Sequence, residues 1–303
     1  MFSVITPTFN RAHTLDRVYQ SLKAQTIKEF DWIIIDDAST DNTEELVSHW
    51  LKDNSQFQIE YYQLPENKGK PYAINYGLQF CKKPITIIAD SDDSFESNTI
   101  EDLLKIWQSI DISIVSEKIA AIWTLVKDEN NQLVGEPFPK NFWQVNFNER
   151  LLEREQPVLG EKWHSWRTSI LKDYKMCHND NSFVSESATW FRINKNYDFL
   201  CINLIHRKYW HTEDGLIHQK KSPLKIAKID YYTSYYQLYE TNIYDIILNK
   251  YFRLLAFNYI KACFYHQDRD LNLVGLKKVI CFVIFLVYAP NRLFNKLWLK
   301  FSK

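Results

Sequence analysis

The chain has 303 residues, with 37 basic and 37 acidic side chains and a formal net charge of zero at pH 7. That length accommodates one large α/β domain and a smaller appendage, and the neutral balance argues against a general nucleic-acid binder, whose phosphate contacts need a cationic surplus. An apolar fraction of 46% supports a sizeable core, while six glycines and nine prolines leave little room for long flexible linkers.

The aromatic fraction of 16% suits carbohydrate or membrane-surface contact and a filled core equally well. Five scattered cysteines (Cys81, Cys177, Cys201, Cys263, Cys281) form no CxxC pair, so reduced thiols in a cytoplasmic protein are expected. The segment Met1–Asn10 starts directly as a strand, with no charged leader and no long apolar core, so no secretory signal is expected.

Taken in chain order, Phe2–Thr6 is an apolar, β-favouring run that stops at Pro7 and reads as a buried parallel strand. Leu15, Val18 and Leu22 recur at helical spacing up to about residue 25. Asp31–Ile35 is a second strand ending in Asp36-Asp37, followed by a helix over Asn42–Leu51 that Thr40 or Asp41 can cap. Gln58–Gln63 alternates like a more exposed strand, Pro71–Phe80 is helical, and Ile85–Ala89 is a fourth, buried strand running into Asp90-Ser91-Asp92-Asp93. A helix over Asn98–Ile110 follows. Such alternation predicts a parallel sheet with helices on both faces, and ligands of these sheets sit beyond the carboxyl ends of the strands. Three polar clusters, Thr8–Arg11, Asp36–Asp41 and Asp90–Asp93, should therefore meet at one rim.

Beyond Asn98 the pattern is less regular. Ile119–Val126 reads as a strand, Phe138–Phe147 as an aromatic loop, Glu161–Asp173 as a Trp-rich turn with a short helix, and Phe183–Ile193 as a polar-aromatic segment. Tyr231–His266 is helical and tyrosine-rich. In the last stretch, Val279–Ala289 is an unbroken apolar run whose helix would span roughly 16 Å, too short for a hydrocarbon core of about 30 Å. Around it, residues 276–303 carry Lys277, Lys278, Arg292, Lys296, Lys300 and Lys303 with no acid, interleaved with Leu293, Phe294, Leu297, Trp298 and Phe301. This suits an interfacial helix on anionic lipid, and equally a helix docked on the domain or on a second copy.

Asp90, Asp92 and Asp93 repel one another unless a cation neutralises them. Hard divalent ions take one or two such carboxylates and complete their shell with water and substrate phosphates; an acidic turn before a helix is the plain alternative. Asp36 or Asp37 can accept from a base N–H or ribose hydroxyls, or serve a turn and helix cap. Phe9 can stack on a base, Asn10 and Arg11 can reach base or phosphate, and Asn67-Lys68-Gly69-Lys70 can hold an anion ahead of a helix. The histidines show no ligand spacing, and no P-loop or nucleophile elbow is present.

Four segments in this order, SVITPTFNR, WIIIDDASTDNT, ENKGKPYAINYGL and IIADSDDSF, resemble the nucleotide-binding half of the family 2 glycosyltransferases. The resemblance covers residues 2–97. It implies a GT-A fold, an α/β Rossmann-like and mostly parallel sheet flanked by helices, with a C-terminal helical extension. By the same resemblance, domains divide as 1–225, catalytic (1–97 for the nucleotide, 98–225 for the acceptor), and 226–303, helical. It implies inverting transfer from a nucleotide-diphosphate sugar, UDP-linked, with Mn2+ or Mg2+. The nucleotide contacts then fall on Pro7, Phe9, Asn10, Arg11, Asp36, Asp37, Asn67, Lys70, Asp90 and Ser91, and the metal ligands on Asp92, Asp90 and Asp93.

The segments GEKWHSWRTSIL and FVSESATWFRI resemble the acceptor half of a bacterial subgroup acting in surface-polysaccharide assembly. In that pattern Glu186 stands at the general base, flanked by Ser185 and Ser187 where the family usually has Pro and another acid. Asp180 is the runner-up, then Glu161 and Asp173. Arg167 and Arg192 fall where acceptor or phosphate contacts occur, or serve as structural ion-pair partners. The implied acceptor is a lipid-linked saccharide, and the implied location is peripheral, on the inner face of the bacterial plasma membrane, through 276–303. A nucleotidyltransferase and an inactive nucleotide- or carbohydrate-binding module are the competing readings, and the sequence leaves the oligomeric state open.

Overall fold

The computed structural model describes residues 1–53, 56–111, 116–153, 158–180, 182–211, 222–267 and 269–301, leaving aside the side chains of 116 and 290–301. The chain forms two compact units. The first comprises Met1–Arg150, Arg154–Met176 and Ile193–Gln219; the second comprises Leu151–Glu153, Cys177–Arg192 and Lys220–Lys303. Where the sequence suggests a single cut after residue 225, the segment 177–192 instead groups with the helices.

The first unit is built on one sheet. Strand β1 (Phe2–Thr8) lies between β2 (Phe30–Asp36) and β4 (Ile85–Ile88), and β3 (Gln58–Gln63) adds to β2; all four are parallel. Between them run α1 (Ala12–Lys23), α2 (Thr43–Asp53) and α3 (Lys70–Gly77). Every residue of β1 and β2 is buried, which explains why apolar side chains dominate both with no alternation of polarity. Strand β1 continues through Pro7 rather than stopping before it. Its pairing with β4 ends at Ile5, so Pro7 lies where the ladder on that side is over.

The second half of the sheet departs from the parallel pattern. After β5 (Ser94–Phe95) and α4 (Thr99–Asp111) come β6 (Ile119–Lys127), β7 (Trp143–Val145), β8 (Lys162–Arg167), α5 (Thr168–Tyr174), α6 (Ser187–Asn194) and β9 (Asp198–Lys208). The strand order is β3-β2-β1-β4-β8-β6-β9-β5, with β7 also on β9. Strand β8 runs antiparallel to both β4 and β6, β9 parallel to β6, and β5 and β7 antiparallel to β9. The Trp-rich segment is thus a strand, not a turn, and the aromatic loop at 138–147 contains a strand as well. Strand β8 is buried on both faces, so it shows no alternation of polarity. Its polar side chains are satisfied internally, Ser165 by the Trp107 indole at 3.0 Å and His164 by the Trp166 indole at 2.9 Å.

Helices α1 and α2 pack one face of the parallel strands through Leu15, Val18, Tyr19, Leu22, Val47 and Trp50. The Tyr19 and Trp50 rings stack with centroids 4.4 Å apart, and the buried Trp32 indole donates to Thr6 Oγ1 at 2.8 Å. Helix α3 approaches the other face so closely that a Cβ on Gly77 would lie 2.9 Å from Ile35 Cγ1 and 3.0 Å from Ile5 Cγ2.

The second unit is helical. It holds α7 (Pro223–Tyr239), α8 (Ile243–Leu248), α9 (Lys250–Tyr265) and α10 (Gly275–Phe301). The tyrosine-rich region is its core. Tyr231 and Tyr259 stack at 4.8 Å, and the Tyr231 hydroxyl donates to Leu271 O at 2.6 Å. Phe191 of α6 packs on Tyr251 and Phe252 of α9, and Ser185 N donates to Thr233 Oγ1 at 3.1 Å, which is why 177–192 belongs here. Helix α10 buries Cys281 and Ile284 and stacks Phe285 on Phe257, while Val279, Phe282, Val283, Leu286 and Val287 on its other face are exposed. Lys277 caps α7 by donating to Leu238 O and Tyr239 O. Among the described residues no helix is long and apolar enough to cross a membrane.

Gly77→Val should lower stability by about 1–3 kcal/mol through overpacking between α3 and the sheet; urea denaturation followed by circular dichroism measures it, and an unchanged midpoint would show the contact to be soft.

Candidate nucleotide site

The predicted convergence of strand ends occurs, and backbone amides hold it together. Thr8 O accepts from Asp37 N at 2.8 Å, closing the ends of β1 and β2. Asn10 sits at φ 53° and Ala38 at φ 64°, both in the left-handed region. Asn10 there acts as a clasp. Its Oδ1 accepts from Thr40 N at 2.7 Å and Asp41 N at 3.3 Å, and its own N–H donates to Ser39 Oγ at 2.8 Å. Asp41 caps two helices at once, accepting from Thr43 N at 3.1 Å and Ala12 N at 3.0 Å.

The two adjacent acids have different duties. Asp36 is fully buried and accepts from Ser39 N at 2.8 Å, Tyr61 Oη at 2.6 Å and Gln63 Nε2 at 3.4 Å. Asp37 accepts from Lys68 N at 2.8 Å and Gly69 N at 2.7 Å, so it sets the conformation of the 67–70 loop. Gly69, at φ 87°, supplies the left-handed residue there and carries the chain into α3. Lys70, at the start of α3, is placed by that turn with its Nζ 2.6 Å from Asp90 Oδ1.

The acidic run at the end of β4 is answered from within the protein. Arg207 Nε of β9 lies 2.6 Å from Asp93 Oδ2, and both side chains are largely buried. Burial pushes the Asp90 carboxyl up, but Lys70 and then Arg207 more than offset it and leave it below the usual range. Asp92 is raised, first by burial and then by Asp90, against the pull of Arg11, Lys70 and Arg207. Asp93 is raised by burial, with Arg207 opposing and its two acidic neighbours reinforcing. Three side chains that seemed to need an external cation thus have Lys70, Arg207 and Arg11 around them. Asp93 is turned into the domain against Arg207 and does not join its neighbours in a ligand set: among the described residues, no three His, Cys, Asp or Glu side chains gather as one. The Asp92 carboxylate differs from the other two. Only its backbone carbonyl is engaged, by Arg17 Nη1 at 3.4 Å, and among the described residues its side chain makes no hydrogen bond or ion pair. One open carboxylate with Asp90 beside it suits a divalent ion that keeps water and phosphate ligands. It does not suit a cage of three.

Other predicted residues fall as follows. Pro7 is buried in β1, the Phe9 ring is 44% exposed, and Asn67 is exposed on its loop. Ser91 is buried, its carbonyl accepting from Thr14 Oγ1 at 3.0 Å. Arg167 stands in the second of the two roles open to it, a structural ion pair. Its register opposite Ile85 puts it at the amino end of β4, away from Asp90, where it donates to Asp111 Oδ1 at 2.8 Å and Ile119 O at 2.9 Å and covers the Trp107 ring. In the second unit, Arg192 donates to Glu240 Oε1 at 2.6 Å, and exposed Asp180 is 3.3 Å from His178 Nε2. Glu186 is half-buried just before α6, its carbonyl accepting from Thr189 N and Trp190 N.

Sequence reasoning missed Arg207 and His164. His164 is buried with its Nδ1 accepting from the Trp166 indole; burial, then Arg207, pushes it down to about 3 while Asp90 opposes. An apolar, β-favouring run ending in Arg-Lys at 207–208 was the available signal for Arg207, and nothing in the sequence marked His164.

The fold is that of the GT-A glycosyltransferases. TarS 1–349 of S. aureus superposes with a TM-score of 0.60 at 18% identity over 94% of this chain and 78% of that one. The mannosyltransferase PcManGT of Pyrobaculum calidifontis, in complex with GDP-Man and Mn2+, gives 0.56 at 16% identity over 87% and 73%. Residues 3–174 match the model for Glycosyl transferase family 2, and the chain belongs to that family. Among relatives, the glycosyltransferase GlyG of Streptococcus pneumoniae is 30% identical over 116 residues, 38% of each chain. A Campylobacter jejuni GalNAc(5)-diNAcBac-PP-undecaprenol beta-1,3-glucosyltransferase is 25% identical over 203 residues, 65% of this chain and 60% of that protein. The chain spans less than two thirds of the length of these curated relatives.

Arg207→Leu should cost about 3–5 kcal/mol, because it strands Asp93 in the interior without its cation. Asp92→Asn should leave stability at pH 7 unchanged or higher. The sign follows from the raised carboxyl: its charged form is disfavoured on folding, that penalty is present above the folded pKa, and it vanishes as pH falls below. Guanidinium melts of both variants at pH 7 test the pair of outcomes.

Proposed function

We propose that this chain is an inverting, metal-dependent glycosyltransferase. In this reading it moves a sugar from a nucleotide-diphosphate sugar, UDP-linked, to a hydroxyl of a lipid-linked saccharide in bacterial surface-polysaccharide synthesis. One observation carries the reading. At a rim where Asp90 and Asp93 each have a protein cation at 2.6 Å, the Asp92 carboxylate alone has no hydrogen bond or ion pair among the described residues. The solved neighbours support it: TarS forms complexes with UDP and with UDP-GlcNAc, and PcManGT with GDP-Man and Mn2+. The name of the Campylobacter relative supports a lipid-linked acceptor.

Asp92, with Asp90, would hold Mn2+ or Mg2+, which when bound neutralises charge growing on the leaving diphosphate. Lys70 adds a positive charge on the same side, fixed by the turn that Asp37 organises. The exposed Phe9 ring offers a face for the base, while Asn10 and Asp36 act through the loops they hold. Single-displacement inversion also needs a carboxylate to take the acceptor hydroxyl's proton as the glycosidic bond forms, with the diphosphate departing on the opposite face. Glu186 is assigned that proton transfer.

Calorimetry with UDP should show binding strengthened at least tenfold by MnCl2, an increment that Asp92→Ala removes. Glu186→Gln should retain UDP binding and lose transfer by 10²-fold or more. UDP binding indifferent to both metal and Asp92→Ala would sink the donor-site reading, and turnover surviving Glu186→Gln would move the base elsewhere.

The same reading places the protein on the inner face of the plasma membrane. The exposed stripe Val279, Phe282, Val283, Leu286 and Val287, at helical spacing on α10, supports interfacial binding. Val283→Glu combined with Val287→Glu should release the protein from phosphatidylglycerol vesicles in a sedimentation assay without lowering its melting temperature. Undiminished co-sedimentation would refute membrane docking through this face.

A further inference from the structure

The pairing of β5 with β9 sets Lys208 opposite Ser94, two residues after Asp92. The chain then turns so that the Trp210 indole donates to Ser94 Oγ at 2.9 Å. Two cations converge on this anchored ring: Arg17 of α1 has its Cζ 5.0 Å from the ring centroid, and Lys208 has its Nζ 4.5 Å from it. Neither has a carboxylate partner among the described residues. Their neighbours do: Lys70 pairs with Asp90, Lys127 with Glu96 and Arg207 with Asp93. Two like charges held on one indole repel, and cation–π contact repays only about 0.5–1 kcal/mol for each at a partly exposed site. An anion between them would relieve the repulsion, with the guanidinium fork and the ammonium both donating to its oxygens.

We propose that Arg17, Lys208 and Trp210 form an anion subsite that takes a phosphate of the acceptor, distinct from the donor's diphosphate. The inference builds on the reading of the Asp92 rim as the donor site, and it makes the acceptor a phosphate-bearing glycan. The charges acting most on the Asp92 carboxyl are Asp90, Arg11, Lys70 and Arg207. Arg17 is not among them and reaches Asp92 through its backbone carbonyl. The platform therefore stands beside the carboxylate that faces the donor, not on it.

The test uses the full chain and radiolabelled sn-glycerol 3-phosphate in equilibrium dialysis, with and without saturating UDP and MnCl2, while calorimetry measures UDP separately. Glycerol phosphate should bind in both conditions and weaken as NaCl rises from 50 to 200 mM. Arg17→Gln combined with Lys208→Gln should weaken it at least tenfold while UDP affinity stays within twofold. Lys208→Gln alone, at a partly exposed strand end, should weaken it several-fold and serves if the double variant fails to fold. Unchanged glycerol phosphate binding in the variants would overturn the proposal. So would displacement by UDP, which would assign the platform to the donor. Absence of UDP binding in the wild type would count against the donor-site reading alone, because the dialysis without UDP still judges the platform.

Discussion

Three carboxylates within four residues, at the end of a buried strand, generate a repulsion that the rest of the domain is arranged to absorb. The cations come from three separate places: Arg11 after β1, Lys70 at the start of α3, and Arg207 near the end of β9. Each arrives only if its own element is correctly docked. Gly77 lets α3 lie close on the sheet, Asp37 bends the 67–70 loop, and β9 must run its full length beside β6. Electrostatics at one rim therefore depends on packing throughout the unit, and the parallel and antiparallel halves of the sheet are joined by charge as well as by the β4–β8 ladder.

The balance that results is uneven. Asp90 is held ionised, Asp93 is drawn into the interior, and among the described residues the Asp92 carboxylate has charged neighbours but no hydrogen bond or ion pair. An array of three equivalent carboxylates would close around an ion by itself. This one offers a single open ligand beside a second, so any ion held there would depend on the phosphates it accompanies. Coupling of such an ion to a nucleotide would then follow from charge placement alone.

The parallel half of the fold was legible because three of its strands are mainly apolar runs ending in polar clusters, and because chain topology sends such ends to one side. Asp90, Asp37 and Lys70 could be placed together on that basis. In the antiparallel half only β6 and the short helix α5 were legible, and the other strands were not. Strand β8 carries His164 and Ser165 in the interior, where tryptophan indoles satisfy them, and a polar residue made acceptable by a distant donor leaves no local pattern. Strand β9 breaks its own alternation with exposed Leu204 and Ile205, and its Arg207 is buried only because Asp93 is there to meet it. Arg167 was left open between a ligand contact and an ion pair for the complementary reason. An arginine beside a site motif in sequence sits at the far end of its strand in space, since a residue's distance along an extended chain and its distance from a rim are unrelated until the direction of the strand is known.

In the helical unit Tyr231 and Tyr232 are core, their hydroxyls tied to Leu271 and Asp270. A ring with one polar atom can be buried whenever a single acceptor is supplied. Aromatic abundance therefore spoke to the packing of this unit, not to any ligand.

His164 has a consequence for anyone recording pH profiles. An indole N–H only donates, so Nδ1 must be the acceptor and the ring proton is fixed on Nε2. With its protonation pushed down to about 3, this imidazole keeps one tautomer and no charge across the physiological range. It behaves as a constant dipole next to the acidic run, and any inflection measured between pH 5 and 8 reports on some other group.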